Sequence, residues 1–152
     1  MAQIAFYSTA RNDRLTHAVV AARWGGKWLL CRQGDAWTLP RGDREAQEQI
    51  AAAAQRILRA RTGALEYQLE PVSAYSVGEG EETAFGALFF AEVDELDSPP
   101  REDGGGPLCQ ADGLSAAGLC GGLDAQLLTR AEAWLEEGHF RPAWEDILEL
   151  MT

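Results

Sequence analysis

Two runs dominated by apolar and β-branched residues, RLTHAVVAARW and KWLLCRQ, are joined by Gly25-Gly26. A Gly-Gly step between such runs supplies the positive φ angles that a two-residue hairpin turn needs. The pattern therefore predicts antiparallel strands over about 15–24 and 27–33. A shorter extended piece, AWTLP, ends at Pro40, and Arg41-Gly42 turns the chain into the next segment. From about Ala46 to Arg61 the rhythm changes: Ile50, Ala53, Ala54, Ile57 and Leu58 recur at i, i+3, i+4, i+7 and i+8, the spacing of one helix face. Thr62-Gly63 stops this helix, glycine being the residue that takes a left-handed cap without steric cost. Beyond it, YQLEPVSAYSV and TAFGALFFAEV predict two longer strands around the acidic loop GEGEE. Residues 95–122, rich in Gly, Pro and charge and without periodicity, predict a long surface loop. A last helix is predicted over about 124–137, with Asp124 as N-cap, a stripe through Leu127, Leu128, Ala131 and Leu135, and Gly138 as terminator. The tail RPAWEDILELMT predicts a further short turn of helix. Each helix carries one apolar stripe that must be buried, so the expected architecture is α/β, with a mixed central sheet between the two helices.

The length, 152 residues with 46% hydrophobic content, fits a single domain over 1–152 with its core at about 15–137. No run of about 18 apolar residues occurs and the N-terminus lacks a secretory pattern, so a cytoplasmic protein with no membrane partner is expected. Cys31, Cys109 and Cys120 are odd in number and form no C-x-x-C pair, which argues for reduced thiols and against a thiolate zinc site. The net charge of -11 repels phosphate backbones and so disfavours a nucleic acid polymer. A small anionic ligand stays open, because Arg41, Arg44, Arg56, Arg59 and Arg61 lie within a short stretch. The same cluster also follows from composition, since every basic residue but Lys27 is an arginine.

The stretch GDREAQEQIAAAAQRILRARTGA, Gly42 to Ala64, has a fixed internal spacing. Gly42, Glu48, Arg56, Leu58 and Gly63 stand at the offsets of a signature that reads Gly, five residues, Glu, seven residues, Arg-Glu, an aliphatic, any residue, Glu-Glu, any residue, Gly and an aliphatic. With the lead-in WTLPRGDRE and the order of elements, the chain resembles the Nudix hydrolase family over about residues 15–137. The resemblance implies an α/β/α sandwich. It also implies a magnesium-dependent hydrolase of nucleoside diphosphate derivatives, in which glutamates of the signature hold the ion. Here three of those positions are Ile57, Ala60 and Arg61, and Arg41 stands where the first glycine of a pair is usual. On one helix, i, i+3 and i+4 project to one side, where three carboxylates would share a cation. An isobutyl-sized group, a methyl and a guanidinium offer magnesium no oxygen.

The remaining candidates each have two readings. Glu45 and Glu48 are either a residual metal pair or acids favoured at a helix N-terminus by its dipole. Glu92, charged amid the hydrophobics of FFAEV, is a further catalytic candidate, as are the loop acids Glu79, Glu81 and Glu82. Arg56 matches the residue that orients glutamates in the family, and with Gly42, Leu58 and Gly63 it is assigned a structural role. Trp28 reads as core and Trp37 as a ligand contact. Arg61 either holds a phosphate directly, with Arg41 as second contact, or extends from the helix end into water. His17 and His139 form no motif. Three functions follow: a protein with an incomplete metal motif that binds a nucleotide-like or other anionic ligand with weak or no hydrolysis, a working pyrophosphohydrolase that uses displaced acids and Mg2+, and a non-enzymatic interaction module.

Overall fold

The computed structural model describes residues 4–7, 15–78, 83–100, 108–120 and 122–140. Its strands are β1 (Ile4–Tyr7), β2 (His17–Trp24), β3 (Lys27–Gln33), β4 (Ala36–Thr38), β5 (Arg41–Asp43), β6 (Ala64–Val77), β7 (Ala84–Leu96) and β8 (Leu108–Ala111). The helices are α1 (Ile50–Thr62), α2 (Gly113–Cys120) and α3 (Gly122–Glu136). The strands form one sheet in the order β1-β6-β7-β2-β3-β4, with β5 paired to β2 and β8 to β3. The β2–β7 pair is parallel and the other pairs are antiparallel, so the sheet is mixed, as expected.

Alternation along the strands sorts the core into two layers. Ala18, Val20 and Ala22 of β2 join Leu29, Cys31, Phe89, Ala91 and the buried face of α1, namely Ala53, Ala54, Ile57 and Leu58. Val19 and Ala21 point the other way, with Trp28, Leu30, Leu88 and Phe90, and meet Leu127, Leu128, Ala131 and Trp134 of α3. Gly25 and Gly26, at φ 60° and 81°, make the expected hairpin turn. Gly63 closes α1 at φ 74°, its N–H donating to the Arg59 carbonyl.

Four expectations need correction. Helix α1 begins at Ile50, not Ala46, because residues 44–49 form a separate loop in which Gln47 takes φ 65°. Within the expected 95–122 loop, Leu108–Ala111 extends the sheet along β3 and Gly113–Cys120 is helical. Arg41–Asp43 is a short strand on β2 rather than a turn. Asp124 does not cap its own helix, since α3 starts two residues earlier and the carboxylate faces the sheet. The sheet also reaches beyond the expected core through β1, which pairs with β6. The tail 141–152 and the loop acids Glu79, Glu81 and Glu82 lie outside the described residues. Among the described residues no helix is long and apolar enough to cross a membrane.

Candidate functional site

Strand β5 is the hinge of the site, because its side chains go to alternate faces of the sheet. Gly42 faces α1, and a Cβ there would lie 3.0 Å from Cγ1 of Ile57. The absence of a side chain at 42 is what lets the helix approach this close. The loop after β5 is held by two arginines. Arg56 of α1 donates through Nε and Nη2 to both oxygens of Glu48, at 3.0 and 2.9 Å, and through Nη2 to the Asp43 carbonyl at 2.7 Å. The Glu45 N–H donates to the same carboxylate at 2.9 Å. Arg44 donates to the carbonyls of Leu15 and Glu48. Hydrogen bonds from Arg56 and then from the Glu45 backbone hold the Glu48 carboxyl well below its ordinary range, at about 2. Both Glu48 oxygens are thus already accepting. Glu45 is 71% exposed and lies 3.9 Å from Arg56.

On the other face, sheet register lines up a transverse row. Tyr75 of β6 is opposite Gly86 of β7, Gly86 is opposite His17 of β2, and His17 is opposite Asp43 of β5. The Tyr75 and His17 rings meet edge to face over Gly86, with centroids 5.3 Å apart. A Cβ on Gly86 would lie 2.6 Å from the Tyr75 hydroxyl and 2.8 Å from His17 Nε2. One row along, Arg41 reaches Asp124 of α3, forming an ion pair, and the second Asp124 oxygen accepts from the Leu39 N–H at 3.2 Å. Asp124 is buried and Tyr75 is wholly so. Burial, and then the Arg41 charge, push the His17 pKa down, while burial pushes that of the Tyr75 phenol up. At neutral pH the row holds a neutral imidazole and a protonated phenol beside a cation.

No family model matches the sequence. Bacillus subtilis YtkD, which carries the name 8-oxo-dGTP diphosphatase, is 31% identical over 96 residues, or 62% of this chain and 61% of YtkD. The chain thus spans about three fifths of the length of the curated relative it matches. A crystal structure of the Bacillus subtilis pyrophosphohydrolase BsRppH is 30% identical, with a TM-score of 0.56 over 64% of this chain and 63% of that one. The NUDIX domain of Shewanella oneidensis NrtR, solved with ADP ribose, superposes with a TM-score of 0.61 at 13% identity, over 80% and 88% of the two chains. The fold is that of the Nudix hydrolases.

Within this Nudix fold Ile57, Ala60 and Arg61 have different surroundings. Ile57 is buried in the core, whereas Ala60 and Arg61 are exposed. The Arg61 carbonyl accepts from the Cys31 thiol, and burial raises that thiol's pKa to about 12. Arg61 stands on the α1 side of the sheet and the Arg41 side chain on the α3 side, so the structure does not bring these two arginines together. Trp37 is half-buried on β4 with the Arg32 guanidinium over its ring. Glu92 accepts from Arg23 Nε at 2.8 Å, and the two are opposite each other near the far end of β2. Six residues of strand separate Arg23 from His17, roughly 20 Å, so Glu92 is remote from Glu45 and Glu48. A cavity of about 600 Å3 opens at that far end. Two of its lining groups, Arg23 and Trp28 Nε1, already bond Glu92 and Glu132. Sequence reasoning missed His17, Tyr75 and Asp124. Their only sequence signal is parity, since His17 and Tyr75 each stand an even number of residues from inward-facing positions of their strands.

Proposed function

We propose that the chain binds a nucleotide-like or other anionic ligand and hydrolyses it weakly or not at all. The observation that carries this reading is Ile57, buried at 3% exposure against Gly42 where a ligating carboxylate would stand. Magnesium takes oxygen ligands in near-octahedral geometry. Among the described residues no three His, Cys, Asp or Glu side chains come together to hold a metal, and Glu48 is engaged by Arg56. The described residues do not fit the ion. Kinship in sequence with proteins named as a diphosphatase and a pyrophosphohydrolase supports a ligand that contains a pyrophosphate. A second reading, turnover by displaced acids, draws on the exposure of Glu45. Calorimetry of a nucleoside diphosphate compound with excess chelator, paired with a turnover assay in magnesium, separates the two. Binding that survives chelation is expected, with turnover far below about 1 per second. Turnover at that rate would replace this reading with the second.

A further inference from the structure

We infer that Arg41, the Leu39 N–H and the Tyr75 hydroxyl form a site for a small oxyanion, a carboxylate or phosphate group, which Asp124 fills with the chain's own carboxylate. The inference rests on the anion-binding reading above, and adds where the anion docks and what competes with it.

Asp124 is held as a bound ligand would be. One oxygen meets a guanidinium and the other a backbone N–H, the donor pair with which proteins grip carboxylates and phosphates. The site has more donors than Asp124 uses. The Tyr75 hydroxyl, with the residue 0% exposed, has no hydrogen-bond partner among the described residues, and neither does Arg41 Nε. Buried polar groups are nearly always partnered, because stripping one of water without replacement is costly. Two orphaned donors beside a cation ask for an acceptor larger than the carboxylate now present. Charge decides the order of events. With Asp124 in place the Arg41 charge is cancelled, and an incoming anion meets no net attraction. It must therefore displace Asp124. That residue lies in the first turn of α3, the part of a helix with the fewest internal hydrogen bonds to break. Asp124 is thus an autoinhibitory occupant, and α3 is the element an anion would move.

The test is chemical rescue in Asp124→Ala, which vacates the carboxylate and leaves Arg41. Thermal melts are recorded in formate or inorganic phosphate, with chloride at matched ionic strength as control. The variant should melt below wild type and recover saturably with the oxyanions but not with chloride; whichever has the lower midpoint identifies the group. Adding Tyr75→Phe should raise that midpoint roughly 10-fold, the loss of one bond to a charged acceptor, and adding Arg41→Met should abolish rescue. Melts indifferent to the anions, a chain unfolded at every concentration, or rescue unmoved by Tyr75→Phe would each overturn the inference. Failure of nucleotide binding by the wild type would sink the functional reading and leave the rescue result standing.

Discussion

The two sides of β5 solve the same problem differently. On the α1 side, Arg56, Glu48, Arg44 and Glu45 are at least partly exposed and bond one another or the backbone, so each bond competes with water and holds the loop's shape. On the α3 side, Arg41, Asp124, Tyr75 and His17 are largely withdrawn from water, and Arg41 Nε and the Tyr75 hydroxyl have no partner among the described residues. The contrast teaches that carboxylate–arginine pairs one strand apart need not be equivalent. A solvated pair is nearly expendable, whereas breaking a buried one strands a charge.

The largest effect should come from Arg41→Met, which leaves the buried Asp124 carboxylate without its cation. A loss of roughly 3–5 kcal/mol is expected in urea unfolding; a loss under about 1 kcal/mol would place this pair with the solvated network. Next is Gly86→Ala, whose Cβ meets Tyr75 and His17 at 2.6 and 2.8 Å. With Tyr75 fully buried, overpacking should cost about 1–3 kcal/mol, read from the same unfolding curves, and an unchanged midpoint would mean the rings part easily. Gly42→Ala on the other side meets Cγ1 and Cδ1 of Ile57 at 3.0 and 3.1 Å and should cost about 1 kcal/mol. In a double-mutant cycle that cost should vanish once Ile57 is cut back to Ala.

Arg56→Ala should change stability least and is sharpest in its pH dependence. The Glu48 carboxyl titrates at about 2 against an ordinary 4.5. Between those values the unfolded chain binds more protons than the folded one, so stability rises with pH. The Glu48 contribution is complete above the ordinary range and disappears as pH falls from 4.5 to about 2. Arg56→Ala should flatten that slope and bring the Glu48 midpoint, followed by NMR, toward 4.5. His17 acts in a different window. Its lowered pKa means the unfolded state takes its proton first, so stability begins to fall as pH drops through 6.5. His17→Gln should remove this earlier loss and leave the later one.

The elements legible in the sequence were those with local causes. Gly25-Gly26 and Gly63 marked their turns because only glycine takes those φ values cheaply, and the α1 stripe was visible because five apolar side chains share one face. The start of α1 was misplaced because Glu48, whose carboxylate could assist a helix start, is held by Arg56 instead. Strand β8 and helix α2 escaped because LCQA is very short and GLSAAGLC has small side chains with no stripe. Asp124 looked like an ordinary cap. Its partners, Leu39 and Arg41, are far away in the chain, and only the folded sheet brings them within reach.

The parallel seam between β2 and β7 has a kinetic consequence. Strand β2 ends at Trp24 and β7 begins at Ala84, while β2–β3 and β6–β7 are neighbours in the chain. Hairpins close in microseconds, but joining strands this far apart carries the entropy of a long loop. The two hairpins should therefore appear early and the seam late, with substitutions at Val19 and Leu88 chiefly speeding unfolding; slowed refolding would reverse that order. A nascent chain stopped before Ala84 would have His17 without Gly86 beneath its ring, so the polar row is assembled only when the central strands meet.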